Sequence, residues 1–175
     1  MKLKNILIGA VITISAVALT GCKVNTEKVE DKNVDTNKKI SETTKSEVIE
    51  GLQLLDSNIL LTSLGLEVED VTDYVGKIPV YNRPEGTMYV AIKPAKGKKD
   101  KVKRALDLYV SDLESKLTDN TPEGVEQEET EETKARAAEL KLIKDITKEE
   151  YKGYYIYVSG ANKDSVLKIL KDRVK

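Results

Sequence analysis

At 175 residues with a formal charge of −1, the chain has room for one domain and a flanking segment. It also lacks the basic excess of a nucleic-acid protein. There is no His, Trp or Phe, and Cys22 is the sole cysteine. That excludes an imidazole base, a zinc-type ligand set and any disulfide within the chain, and no cofactor is called for.

Lys2 and Lys4 give a positive start, and residues 6–19 form an apolar run whose only hydroxyls are Thr13 and Ser15. As a helix this run is about 21 Å long, short of the ~30 Å hydrocarbon core of a bilayer. A charged start, a short apolar middle and a small-residue exit describe a secretory signal at 1–21. Leu19-Thr20-Gly21-Cys22 follows at its end. An aliphatic residue, a small one, Gly and Cys resemble the lipobox of bacterial lipoproteins. The resemblance implies a diacylglyceryl group on the Cys22 sulfur and cleavage by signal peptidase between Gly21 and Cys22. It also implies attachment to the cell membrane, facing outside the cytoplasm. One acyl chain holds a protein only marginally at a bilayer, whereas two make a durable anchor.

In residues 23–45 lysines alternate with acids, and only Val24, Val29, Val34 and Ile40 are apolar. So little apolar surface does not offset the entropy of ordering, which predicts a disordered tether over 22–45 and a single domain over 46–175. Thr44-x-x-Glu47 reads as a capping box opening a helix with Val48, Leu52, Leu55 and Ile59 on one side and Gly65 as its stop. A short helical piece is expected around 69–74. Residues 77–81 and 87–93 then read as strands joined by the turn 82–86.

Beyond a Lys-rich loop at 94–100, Val102, Leu106, Tyr109, Val110, Leu113 and Leu117 keep helical spacing. A Glu-rich stretch follows, leading into a helix over 130–142. A strand is expected at 142–147, and Lys152-Gly153 turns the chain into a strand at 154–159. Asn162 is placed to cap a closing helix with Val166, Leu167, Leu170 and Val174 on its buried side. The sum is an α+β domain: two hairpins making a small antiparallel sheet of about four strands, covered by helices on one face.

The pattern Leu64-Gly65-Leu66, Asp70-Val71, Tyr74-Val75, the strand at 88–93, and Val102 and Tyr109 is similar to one known family. This is an uncharacterised domain of unknown function found on lipoproteins of low-GC Gram-positive bacteria. The similarity spans 48–171, and the Glu-rich stretch 123–132 departs from the family pattern. It implies an extracytoplasmic domain without an established activity, and no functional residues to carry over.

Candidate sites are few. Lys96, Lys98, Lys99 and Lys101 cluster near a helix start, a setting suited to an anionic polymer or head group. Tyr89, Tyr155 and Tyr157 are candidates for an exposed aromatic face suited to a sugar or an envelope protein, but the favoured reading is that these rings lie half buried beneath a helix. Ser165-x-x-Lys168 matches a Ser-Lys nucleophile pattern but lacks its companion motifs. The Glu run has neither the alternation nor the Gly of a calcium loop. The reading is a non-enzymatic binding or envelope-assembly module on the membrane. The alternative is a small envelope enzyme using Glu/Asp or Ser-Lys chemistry.

Overall fold

The computed structural model describes residues 26–44, 51–80, 85–118 and 130–174. Residues 1–25, with the signal and Cys22, lie outside them, as do 45–50, 81–84 and 119–129.

Five antiparallel strands form one open sheet: β1 (Leu52–Leu54), β2 (Val71–Pro79), β3 (Met88–Pro94), β4 (Thr147–Tyr151) and β5 (Tyr154–Ser159), in the order β1-β2-β3-β5-β4. The hairpins β2–β3 and β4–β5 are the two expected. The second turns through Lys152-Gly153, both at positive φ (50° and 80°), which matches the right-handed twist of the flanking strands.

Every residue of β5 is buried, so both faces of the sheet must be covered. On one face Tyr74, Ile78, Met88, Val90, Ile92, Tyr155 and Tyr157 pack beneath α2 (Ser57–Leu64), α3 (Lys99–Thr118) and α4 (Glu131–Lys144). On the other, Val75, Tyr89, Ala91, Ile156 and Val158 pack beneath α1 (Thr26–Thr44) and α5 (Lys163–Arg173). The expected one-sided sheet is therefore two-sided. The hydrophobic alternation in β3 and β5 was real, but both alternating sets are apolar.

Three further expectations are corrected. Of the helix expected from Thr44 to Gly65, residues 45–50 lie outside the described residues, 52–54 are instead the edge strand β1, which pairs Leu52 with Pro79 and Leu54 with Lys77, and 57–64 are a separate helix α2 that Gly65 ends as expected. The Asp56 carboxylate caps α2 by accepting the Ile59 amide at 2.7 Å. The helical piece at 69–74 is a single 3₁₀ turn, Val68–Asp70, running straight into β2. The strand placed at 142–147 begins only at Thr147, because α4 continues to Lys144.

The largest departure is α1, which occupies most of the predicted tether and packs against β2 and α5. Its inward stripe is Val29, Asn33, Thr36, Asn37 and Ile40, all buried and spaced four, three, one and three residues apart. The donors of the polar members are hydrogen-bonded, whereas the buried Oδ1 atoms of Asn33 and Asn37 have no partner among the described residues. Asn33 donates to the Leu55 carbonyl (3.4 Å), Thr36 to that of Lys32 (2.8 Å) and Asn37 to that of Asn33 (2.7 Å).

Gly76 fixes the close approach of β2 and β3. Its φ is 151°, and a Cβ there would lie 2.2 Å from the Tyr89 carbonyl oxygen, so no other residue fits without moving the strands.

If α1 is an integral layer, Ile40→Ala will lower stability by about 2 kcal/mol in urea unfolding. Val34→Ala, at a position 56% exposed, will stay within about 0.5 kcal/mol. Equal and negligible effects at both positions would mean that α1 does not dock.

Candidate functional site

The register of β2 and β3 sets Lys77 directly opposite Tyr89, on the face covered by α1 and α5. Cross-strand neighbours of this kind hold their Cβ atoms roughly 5 Å apart. Around the pair opens a recess of about 210 Å³, walled by Ile40, Leu52, Leu142 and Val166 and closed at one end by the segment 159–163. Among the described residues lining it none is acidic, and two, Lys77 and Lys163, are basic.

The polar groups of the recess differ in how far they are already engaged. The Ser159 hydroxyl accepts the Met88 amide (3.0 Å) and donates to the Gly86 carbonyl (2.6 Å), so it ties the strand ends together. Lys163 pairs with Asp145 at 2.6 Å. Tyr89 is only 5% exposed, and its hydroxyl has no hydrogen-bond partner among the described residues. Lys77 is half-buried and has no counter-ion among them. Burial pushes the Tyr89 phenol well above its ordinary pKa, so it remains an O–H donor at any physiological pH. Asn162 occupies the N-cap of α5 as expected, yet its side chain makes no capping hydrogen bond, leaving the first-turn amides without a side-chain acceptor.

The expected anion site at the start of α3 takes a different form. Lys98 and Lys101 do converge, but on the buried carboxylate of Asp70, at 2.9 and 2.5 Å. Lys99 pairs with Glu150 at 2.7 Å, and Lys96 is exposed. Three of the four lysines thus have protein counter-ions, which lowers their value as a shared anion-binding surface. The aromatic face is corrected outright. Tyr155 and Tyr157 are buried under α3, while Tyr89 is buried on the opposite face. Lying on opposite faces of the sheet, the three rings do not share a surface.

Ser165 and Lys168 lie exposed one turn apart on α5. Glu131 and Glu132 open α4 behind its N-cap Thr130, and the rest of the Glu run lies outside the described residues. Cys22 and Gly21 also lie outside them. Among the described residues no group of three or more acids, His or Cys is placed to hold a metal ion.

Three aspartates that sequence reasoning passed over organise the charge. Burial opposes ionisation of Asp70, but Lys101, Lys98 and the Glu67 amide outweigh it and hold its carboxyl at about 2. Asp107 is held at about 2 in the same way, burial being overcome by Lys103, Lys148 and the Tyr157 hydroxyl. For Asp73, burial is overcome by the two-pronged bond from Arg173 (2.5 and 2.9 Å) and by the Tyr154 hydroxyl (2.7 Å), so its pKa is also lowered. The same contact and its own burial push the Tyr154 phenol up to about 12.

Carboxyls depressed in the folded state stabilise it fully above their unfolded pKa, about 4, and lose that contribution as pH falls toward the folded values. The urea midpoint is therefore expected to hold from pH 7 to 5 and to fall steeply between about pH 4 and 2. Asp70→Asn will cost about 2 kcal/mol at pH 7 and make the acid limb shallower. An unchanged limb would show that Asp70 does not drive it.

No protein-family model matches the chain, and neither a curated protein nor a solved structure was found to match it, so the chemistry of the recess rests on its own geometry.

Proposed function

We propose that the chain is a lipoprotein held at the outer face of the cell membrane by a diacylglyceryl group on Cys22, and that its domain is a non-enzymatic binding module. The observation that carries the anchor is Leu19-Thr20-Gly21-Cys22, placed where a short apolar run ends and containing the sole thiol. Two acyl chains on that sulfur give the durable attachment that one does not. The resemblance to lipoproteins of low-GC Gram-positive bacteria points to the same location.

Binding rather than catalysis is favoured by how the domain spends its charge. Asp70 and Asp107 are held at about 2 and Asp73 is lowered too, whereas a carboxyl used as a general acid or base must be poised near the working pH. The recess between α1 and α5, in contrast, offers an apolar wall and two polar groups without a partner among the described residues, Tyr89 and Lys77, which is what recognition of a small molecule requires.

In growing cells, metabolic labelling with a fatty acid will mark the wild-type chain. Cys22→Ser will abolish the label, block processing and release the protein from the membrane fraction. A Cys22→Ser chain that still matured and stayed with the membranes would overturn the anchor.

A further inference from the structure

We infer that the recess between α1, β2–β3 and the start of α5 is a binding site for a carboxylate carrying one compact apolar group, such as a short branched or aromatic acid. The inference rests on the reading of the domain as a binding module but not on the lipid anchor.

Size restricts the occupant first. Apolar cavities of about 150 Å³ accept benzene, so about 210 Å³ holds one ring or branched group with a small head, and not the long chains of a membrane lipid. The walls are aliphatic: Ile40 from α1, Leu52 from β1, Leu142 from α4 and Val166 from α5. These four come from four different elements, so the apolar half exists only in the folded domain.

The head group follows from what is left unengaged. Tyr89 is 5% exposed and lines the recess, and its hydroxyl has no partner among the described residues, so it is placed to donate to a ligand acceptor. Opposite it stands Lys77, a half-buried ammonium without a counter-ion among the described residues, on a face otherwise built from Val75, Ala91, Ile156 and Val158. The uncapped first turn of α5 adds backbone N–H groups and the positive end of an eleven-residue helix dipole. All three are donors or positive, and no lining acid opposes them. A carboxylate in the recess suits the sign of all three, and charge-assisted bonds of this kind are the strong ones. Lys163 also reaches the rim, but Asp145 already holds it, so it contributes position more than charge. A cationic head would meet Lys77 instead, and a neutral one would leave that ammonium unpaired.

The carboxylate chemistry has two sources, a free acid or the C-terminus of a peptide ending in an apolar residue. The full-length chain in phospholipid nanodiscs, which avoid detergent in the recess, is titrated with phenylacetate and separately with N-acetyl-Ala-Ala-Leu. Amide chemical shifts provide the readout. Phenylacetate is expected to bind with Kd of about 0.1–1 mM and to shift the amides of residues 77, 89 and 163–166. Phenylacetamide, its neutral counterpart, will bind at least tenfold more weakly. Tyr89→Phe and Lys77→Gln, both compatible with the fold, will each weaken phenylacetate about tenfold while leaving the urea midpoint within that of the wild type. Tighter binding of the peptide than of the free acid assigns the site to chain termini; the reverse assigns it to small acids. Either result supports the carboxylate assignment.

Equal binding of phenylacetate and phenylacetamide, shifts confined to other residues, or no shift from either carboxylate at 10 mM would overturn it. None of these outcomes bears on fatty-acid labelling of Cys22, and loss of that labelling would leave the recess as it is.

Discussion

Both faces of a single five-stranded sheet have to be kept from water, and nearly every other feature of the domain answers that demand. β5 presents apolar or aromatic side chains alternately to both sides, with all six residues buried. α3 alone covers much of one side, through Val102, Leu106, Val110, Leu113 and Leu117. The opposite side has only the eleven residues of α5, too short to roof four strands. α1 supplies the missing cover, and the imperfect seam where it meets α5 over the strand pair is where the recess forms. The cavity is thus a by-product of how a second layer is assembled from two unequal helices.

Charge is arranged to support this layering. The chain is 34% charged, yet its buried ionic contacts are few and specific. Asp70 stands at the junction of the 3₁₀ turn and β2 and receives Lys98 and Lys101 from the start of α3, which locks that helix to the sheet. Asp73, three residues on, receives Arg173 from the last turn of α5. The 3₁₀ turn and the start of β2 therefore hold one helix on each face of the sheet through two carboxylates three residues apart. Fixing orientation in this way is a different contribution from the apolar contacts, which set how much is buried but not at what angle.

Elements whose pattern was local could be read from sequence. α3 and α5 carry helical stripes of their own, and the two hairpins carry alternation bounded by turn residues. β1 could not be read, because Leu52, Leu55 and Ile59 fit helical spacing as well as anything else. What makes them a strand and a separate helix is pairing with Pro79 and Lys77, some 25 residues away in sequence. α1 was missed for a different reason. Three of its five inward positions are Asn33, Thr36 and Asn37, so a search for apolar periodicity passes over a stripe that is regular in burial but not in hydrophobicity. The lysine cluster was visible, whereas its partners Asp70 and Glu150 were not, since nothing in a linear order says which acid a cation will meet. Lys77 and Tyr89 were both in view, but their pairing depends on register.

Ordering of α1 also changes the distance between a lipid on Cys22 and the folded mass. A disordered leash of twenty-odd residues would let the domain roam about 25–30 Å from its attachment. With helix beginning at Thr26, the span from Cys22 is four residue steps, at most about 14 Å even when fully extended. Ile40 and Ser41, at the mouth of the recess, then lie about 21 Å farther along the helix axis. On the proposed anchor at Cys22, a domain moored this closely would have little freedom to move away from its attachment. The mouth of the recess would then be set apart from the attachment by the length of α1 between Thr26 and Ile40.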